Sequence, residues 1–225
     1  MNYHIDFDID FRRNEYPGLF IALEGIDASG KSTQVTRLKE AFEKDGKTVL
    51  IKHPFEGEIG GFIRRILSGE LAISTVALQY LISANRHVQQ EEIIDHLKKG
   101  EHVLIDRYIW SAVVYGIFDK GDGDFKKAEN WLLLEQSILS MYHQFLIPDF
   151  TFYLDISPET AVNRLGSMDK EKEIYEDESK IRKITAIYKQ IIADFPEEFV
   201  VVDGEQSVED ITEELMGKIR ESSKY

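Results

Sequence analysis

Residues 25–32 read Gly25-Ile26-Asp27-Ala28-Ser29-Gly30-Lys31-Ser32, a G-x-x-x-x-G-K-[ST] string with every fixed position filled. Each residue type has a chemical reason. The glycines let successive backbone N–H groups curl around a polyphosphate. Lys31 brings a point charge to the β/γ-phosphates, and the Ser32 hydroxyl can ligate Mg²⁺. A second string, Asp106-Arg107-Tyr108, closes another apolar run. A strand-end carboxylate facing a phosphate loop can hold the Mg²⁺ shell, and the adjacent arginine can take a phosphate through two parallel hydrogen bonds. Taken alone, the Asp–Arg pair fits an ordinary loop closure better.

These groups need elements to hold them. Residues 19–23 form a short apolar run, as a buried strand requires. After the loop, Val35, Leu38 and Phe42 fall at i, i+3 and i+7, the stripe of an amphipathic helix. The N-terminus of that helix would turn its free N–H groups and the positive end of its dipole toward the phosphates. A glycine-rich turn without a ligand is the plainer alternative, and the flanking strand and helix argue against it.

Five runs predict buried strands of a parallel sheet, at 19–24, 48–51, 102–106, 150–155 and 199–203, with helical patterns between them. Three of the runs end in aspartate, at Asp106, Asp155 and Asp203. Ligands of such sheets sit beyond the carboxyl ends of the strands. Ser157-Pro158-Glu159 reads as a helix start, so Asp155 is assigned to capping or general polarity. Asp203, before Gly204, simply ends its strand. Residues 119–124 read as a flexible polar loop lacking the bidentate glutamate of a calcium loop. In residues 1–17, Ile5, Phe7, Ile9 and Phe11 alternate with Asp6, Asp8 and Asp10, which predicts an extended segment, such as an added edge strand.

Bulk properties narrow the function classes. With 225 residues and 43% hydrophobic content, the chain suits one domain with a real core. No apolar run is long enough to span a membrane. Residues 1–6 lack the charged and apolar regions of a secretory leader. The net charge of −14 disfavours a nucleic-acid or membrane-surface partner. It still allows a small phosphorylated ligand in a pocket lined by a few cations. The absence of cysteine excludes disulfides and fits a cytoplasmic setting.

Taken together, the motifs resemble those of the thymidylate kinases. The likeness is carried by residues 25–34, by Ser83-Ala84-Asn85-Arg86, and by Asp106-Arg107-Tyr108 with Ser111 and Tyr115. Residues 152–159 with Arg164 add to it, and it extends over about residues 18–220. The resemblance implies the P-loop kinase fold of the α/β class: a five-stranded parallel sheet, order 2-3-1-4-5, flanked by helices, with a short lid at about 166–177. Residues 18–225 would form this domain and residues 1–17 an N-terminal extension. The implied reaction is Mg²⁺-dependent transfer of the γ-phosphoryl of ATP to dTMP, giving dTDP and ADP, in a cytoplasmic homodimer that binds small nucleotides.

The resemblance also implies roles. ATP would be held by Gly25, Ile26, Asp27, Ala28, Ser29, Gly30, Lys31, Ser32 and Thr33, with Arg164 stacking on the adenine. Lys31, Asp106 and Arg107 would be catalytic, and Ser32 and Asp106 would hold the metal. Arg107 and Arg64 would bind the acceptor phosphate, Arg65 being a solvated neighbour. Asp27 would meet the deoxyribose 3′-hydroxyl and Arg86 the thymine edge. Pro54, Phe55, Ile82, Ser111 and Tyr115 would line the nucleoside pocket, with Tyr115 near C2′ of the sugar.

The chain also departs from the family pattern. Ala28 stands where some members carry an arginine, and the lid segment offers Lys170 and Lys172 but no arginine. Either lysine would supply the mobile cation, or the segment is a solvated mixed-charge stretch. Ile82 replaces an aromatic residue that stacks on the base in some members, so dUMP or another pyrimidine monophosphate stays open as the acceptor. A deoxynucleoside kinase would have less use for Arg64 and Arg107. A GTPase-like switch would show an Asn-Lys-x-Asp string, which is absent.

Overall fold

The computed structural model describes residues 10–121, 138–167 and 177–225. Phe20–Glu24 (β2) is the middle strand of a five-stranded parallel sheet. Val49–Lys52 (β3), His102–Asp106 (β4), Phe150–Asp155 (β6) and Val200–Asp203 (β7) complete it in the spatial order β3-β4-β2-β6-β7. Counted by strand of this sheet, the order is 2-3-1-4-5, as expected. β2 pairs Phe20 with Val103 on one side and Ile21 with Phe150 on the other.

All five residues of β2 are buried, because both sheet faces are covered. Leu19, Ile21 and Leu23 face a core built with Lys31–Lys44 (α1) and Val208–Arg220 (α7). Val35, Leu38 and Phe42 fill it from α1, as their spacing predicts. Phe20 and Ala22 face the larger core, filled from Thr75–Lys98 (α3), Ile109–Gly121 (α4) and Glu178–Asp194 (α6). Gly57–Leu67 (α2) packs on α3, and Pro158–Gly166 (α5) packs on α6.

Several local expectations are refined. The helix after β6 is capped by Ser157, whose Oγ accepts from the Thr160 N–H at 3.1 Å, with Pro158 opening the helix. Asp155 does not cap it. Asp203 Oδ1 accepts from Glu205 N–H, shaping the turn that ends β7. Residues 119–121 belong to α4 rather than to a loop, because the apolar run from Ile109 to Phe118 carries the helix on; residues 122–124 lie outside the described residues.

Arg12–Arg13 (β1) pairs in parallel with Leu146–Ile147 (β5), in a two-stranded sheet separate from the main one. Asn14 fastens this end by donating to the Gly18 carbonyl and to Asp149. Ile5, Phe7 and Ile9 lie outside the described residues, as do Lys170 and Lys172 of the lid segment.

Candidate active site

The loop between β2 and α1 opens beyond the carboxyl end of the central strand. Gly25 has φ 147°, and a Cβ there would meet Ser29 Oγ at 2.6 Å and the Leu154 carbonyl at 3.0 Å, so only glycine fits. Gly30, at φ 98°, starts α1 without any side-chain cap. The first-turn N–H groups therefore stay available to an anion. Ala28 takes φ 61°, strained for a residue with a Cβ. Its carbonyl is held by Arg164 Nη1 at 3.2 Å, while Arg164 Nη2 donates to the Gly204 carbonyl at 3.1 Å. Arg164 thus sits against the loop, on the wall of the cleft.

Lys31 is buried, and its Nζ donates to the Ile26 carbonyl at 2.8 Å and to Ser29 Oγ at 3.3 Å. Burial, reinforced by the Arg107 charge, lowers its ammonium to about 8, against the pull of Asp106, Asp27 and Glu24. One residue on, Ser32 Oγ donates to Asp106 Oδ2 at 2.6 Å. Two oxygen donors thus meet at the start of α1, the ligand type of a hard divalent cation, so the pair fits Mg²⁺. Among the described residues no cluster of three or more His, Cys, Asp or Glu could hold a metal by itself. A cation here would need phosphate and water oxygens as well.

Arg107 occupies a left-handed backbone conformation, φ 64°. Its guanidinium donates to Asp27 Oδ1 at 2.6 Å, the Gly25 carbonyl at 2.8 Å and Ser111 Oγ at 3.2 Å, and lies 5.3 Å from the centre of the Tyr115 ring. Burial works against its charge, yet Tyr115 and Asp27 hold it well above its ordinary range. For Asp27, burial also opposes the charge, but Arg107 and Lys31 outweigh it and keep the carboxyl below its usual value. Tyr115 adds a hydroxyl donated to Asp27 Oδ2 at 3.2 Å.

Two connected spaces result. A cleft of about 880 Å³ is lined by residues 27–34, Pro54, Phe55, Arg64, Asp106, Arg107 and Arg164. A narrower cavity of about 70 Å³ shares Asp27, Phe55, Leu67 and Arg107 with the cleft and adds Gln79, Ile82, Arg86, Ser111, Ala112 and Tyr115. Arg64 leans over the cleft and donates to the Phe55 carbonyl, whereas Arg65 pairs with Glu70 on the surface. Pro54 is fixed through its carbonyl by Asn85 Nδ2 at 3.0 Å. Arg86 is buried and donates to Tyr142 Oη at 3.1 Å. Thus every predicted site residue within the described part, apart from Gly25 and Ile26, borders one of the two spaces. Those two shape the loop backbone.

The sequence reading leaves three participants unmarked. Glu24, fully buried at the end of β2, accepts from the backbone N–H groups of Tyr108 and Ser111, at 2.8 and 3.1 Å, and from the Ser111 and Tyr188 hydroxyls. It fixes the turn that carries Arg107. Its signal was available: an acid closing an apolar run, as at Asp106. Tyr188 also donates or accepts at Ser111 Oγ, 2.9 Å away, but nothing distinguishes it from other aromatics of an amphipathic helix. Gln79 shares a helix face with Ile82 and Arg86 at i, i+3 and i+7, a legible spacing.

Comparison with known proteins agrees with this geometry. The family model for thymidylate kinase matches residues 23–215. The thymidylate kinase of Caldanaerobacter subterraneus is 33% identical over 85% of this chain and 89% of its own length. That of Plasmodium falciparum is 32% identical over 90% of each chain. The solved thymidylate kinase of Candida albicans superposes with a TM-score of 0.76 at 24% identity, over 92% of this chain and 93% of that one, and supports the fold. The phosphate loop, the arginine-bearing strand end and the buried pocket beside them therefore belong to a phosphotransferase, and the chain is a member of the thymidylate kinase family.

Proposed function

We propose that this protein transfers the γ-phosphoryl group of ATP to dTMP, giving ADP and dTDP. One observation carries the reading: Arg107 and Asp27 lie where the phosphate-loop cleft runs into the cavity closed by Arg86. A donor triphosphate on the loop and an acceptor monophosphate reaching toward Arg86 would meet at that junction. The protein's work is then positioning and charge stabilisation. Lys31 would leave the Ile26 carbonyl for the transferring phosphoryl oxygens. Arg107 and Arg64 would hold the acceptor phosphate, and Asp27 the sugar hydroxyl. Arg164 would pack against the adenine. Ser32 and Asp106 would hold Mg²⁺, which offsets phosphate charge when bound. Lys170 or Lys172 would add a cation from the lid.

A homodimer belongs to the same reading. Val76, Tyr80 and Val88 recur along one face of α3, and Tyr80 and Val88 are 65% and 68% exposed. A second copy laying its own α3 there would cover this stripe. Sedimentation should then give about twice the chain mass, and Tyr80→Glu should reduce it. No described helix is long and apolar enough to cross a membrane. A cytoplasmic location rests on the resemblance and the cysteine-free sequence.

Because Ile82 lines the base cavity with an aliphatic rather than an aromatic side chain, dUMP is a second acceptor worth testing. A coupled ADP-release assay over nucleosides and monophosphates decides the matter. The expected result is the highest kcat/KM on dTMP, lower values on other pyrimidine monophosphates and none on nucleosides. Preference for an unphosphorylated nucleoside would overturn the proposal.

A further inference from the structure

Gln79 is 4% exposed, and neither its Nε2 nor its Oε1 has a hydrogen-bond partner among the described residues. Such groups are few in folded proteins, because burial strips away water without giving anything back. The residue borders the narrow cavity, on the same face of α3 as Ile82 and Arg86. The Nε of Arg86 is likewise buried without a partner among the described residues. Two unsatisfied side chains therefore border one space, the space to which the proposed function assigns the acceptor base.

We propose that Gln79 reads the base: its carboxamide pairs with the Watson–Crick edge of the acceptor pyrimidine, alongside Arg86. This rests on the dTMP reading above. A thymine edge presents an N3–H donor between two carbonyl acceptors. An arginine has donors only and can serve a carbonyl but not the N3–H. A carboxamide offers one donor beside one acceptor, so Oε1 takes the N3–H while Nε2 donates to the neighbouring carbonyl.

The other acceptors around the cavity are engaged. Asp27 is held by Arg107 and Tyr115, and Ser111 by Glu24 and Tyr188. Ala112 offers no polar side chain. Gly116 on α4 makes room, since a Cβ there would stand 3.0 Å from Gln79 Nε2. A turned-over amide would also match cytosine, so Gln79 reads the edge while the donor-only Arg86 favours the carbonyl form.

Gln79→Leu tests this with two readouts that separate reading from folding. A base reader loses function without losing stability, because the substitution removes two unpartnered buried atoms. The free variant should melt at the wild-type temperature or above. Its KM for dTMP should rise about tenfold, with the KM for ATP unchanged. Wild type should prefer dTMP over N3-methyl-dTMP by about 30-fold or more, and the variant should reduce that preference to about threefold or less.

An unchanged dTMP KM and an unchanged preference would overturn the role of Gln79 while leaving the dTMP reading intact. Wild-type protein inactive on dTMP would overturn that reading, and this one with it. Gln79→Met, unbranched and similar in volume, repeats the test. If neither variant folds, the amide serves the fold and the proposal fails.

Discussion

The phosphate loop and the narrow cavity beside it share walls but are built on opposite principles. In the loop the functional side chains are engaged with protein partners: Lys31 with the Ile26 carbonyl, Ser32 with Asp106, Asp27 with Arg107. In the cavity the Gln79 amide and the Arg86 Nε are buried with no partner among the described residues. A nucleotide entering the loop exchanges existing contacts for its own, so the gain is a difference between strong interactions. A base entering the cavity, as proposed, would supply contacts where there were none and relieve a desolvation cost already carried by the free protein. Charge placement in the first region would serve the rate, and satisfaction of polar edges in the second would serve selectivity.

The sharpest way to break this contrast is to remove the loop's charge. Lys31→Ala should lower kcat at least about 100-fold, since stabilisation of the transferring phosphoryl is lost. The fold should persist, because the change takes one contact each from the Ile26 carbonyl and Ser29 Oγ, within the loop rather than the core. Turnover close to wild type, in a steady-state assay at saturating substrates, would remove Lys31 from the chemistry.

The same lysine gives a pH signature. Its ammonium titrates near 8 in the free protein, below the ordinary 10.5. Below about 8, folded and unfolded chains both keep the proton. Between about 8 and 10.5 the unfolded chain binds more, so the burial penalty on stability eases as pH rises through this window. ATP affinity moves the other way, weakening above about pH 8 as the charge is lost. Calorimetric titrations at about pH 7 and pH 9.5 should show a several-fold loss in wild type and little change in Lys31→Ala.

Arg107 is where the two regions touch. Arg107→Lys keeps a charge but replaces a planar fork with a point, and so cannot span Asp27, the Gly25 carbonyl and Ser111 together. The kcat/KM for dTMP should fall by about 10- to 100-fold, as expected for losing a charged hydrogen bond, with a smaller change in the KM for ATP. The opposite split would assign Arg107 to the donor side and erase its place at the junction.

The two regions also differed in how far the sequence revealed them. Glycine, lysine and serine at fixed spacing have few other uses, so the loop is readable from the sequence alone. The strand order followed from the resemblance, and the strand limits were met within a residue because apolar runs end where burial ends. The cavity was half visible. Arg86 and Ser111 came through the motif, but Gln79 and Glu24 did not, because their importance lies in which partners they have or lack across α3, α4 and β2. An acid closing an apolar run and a helix-face spacing mark their positions, but hydrogen-bond satisfaction is a tertiary quantity that neither pattern carries. Ser157 shows the smaller version of this limit: the helix start after β6 was legible, while the identity of its cap depended on backbone angles.

Tyr115 tests the border between the regions with the smallest expected effect. It lies in the narrow cavity, donates to Asp27 and packs on the Arg107 guanidinium. The Asp27 carboxylate is the proposed partner of the sugar hydroxyl, so this ring would stand beside the sugar, where a 2′-hydroxyl would need room. Tyr115→Phe removes only the hydroxyl and should leave the deoxy-to-ribo preference in place while modestly raising the KM for dTMP. Tyr115→Ala removes the ring and should raise kcat/KM on uridine monophosphate relative to its deoxy form by about tenfold. The gain is limited because the same change loosens Arg107 and opens the packing around the sugar. Measuring kcat/KM for the two substrates in each variant separates the ring from the hydroxyl. An unchanged ratio in a folded Tyr115→Ala protein would make the ring a support for Arg107 alone, and sugar selection would then rest on Asp27.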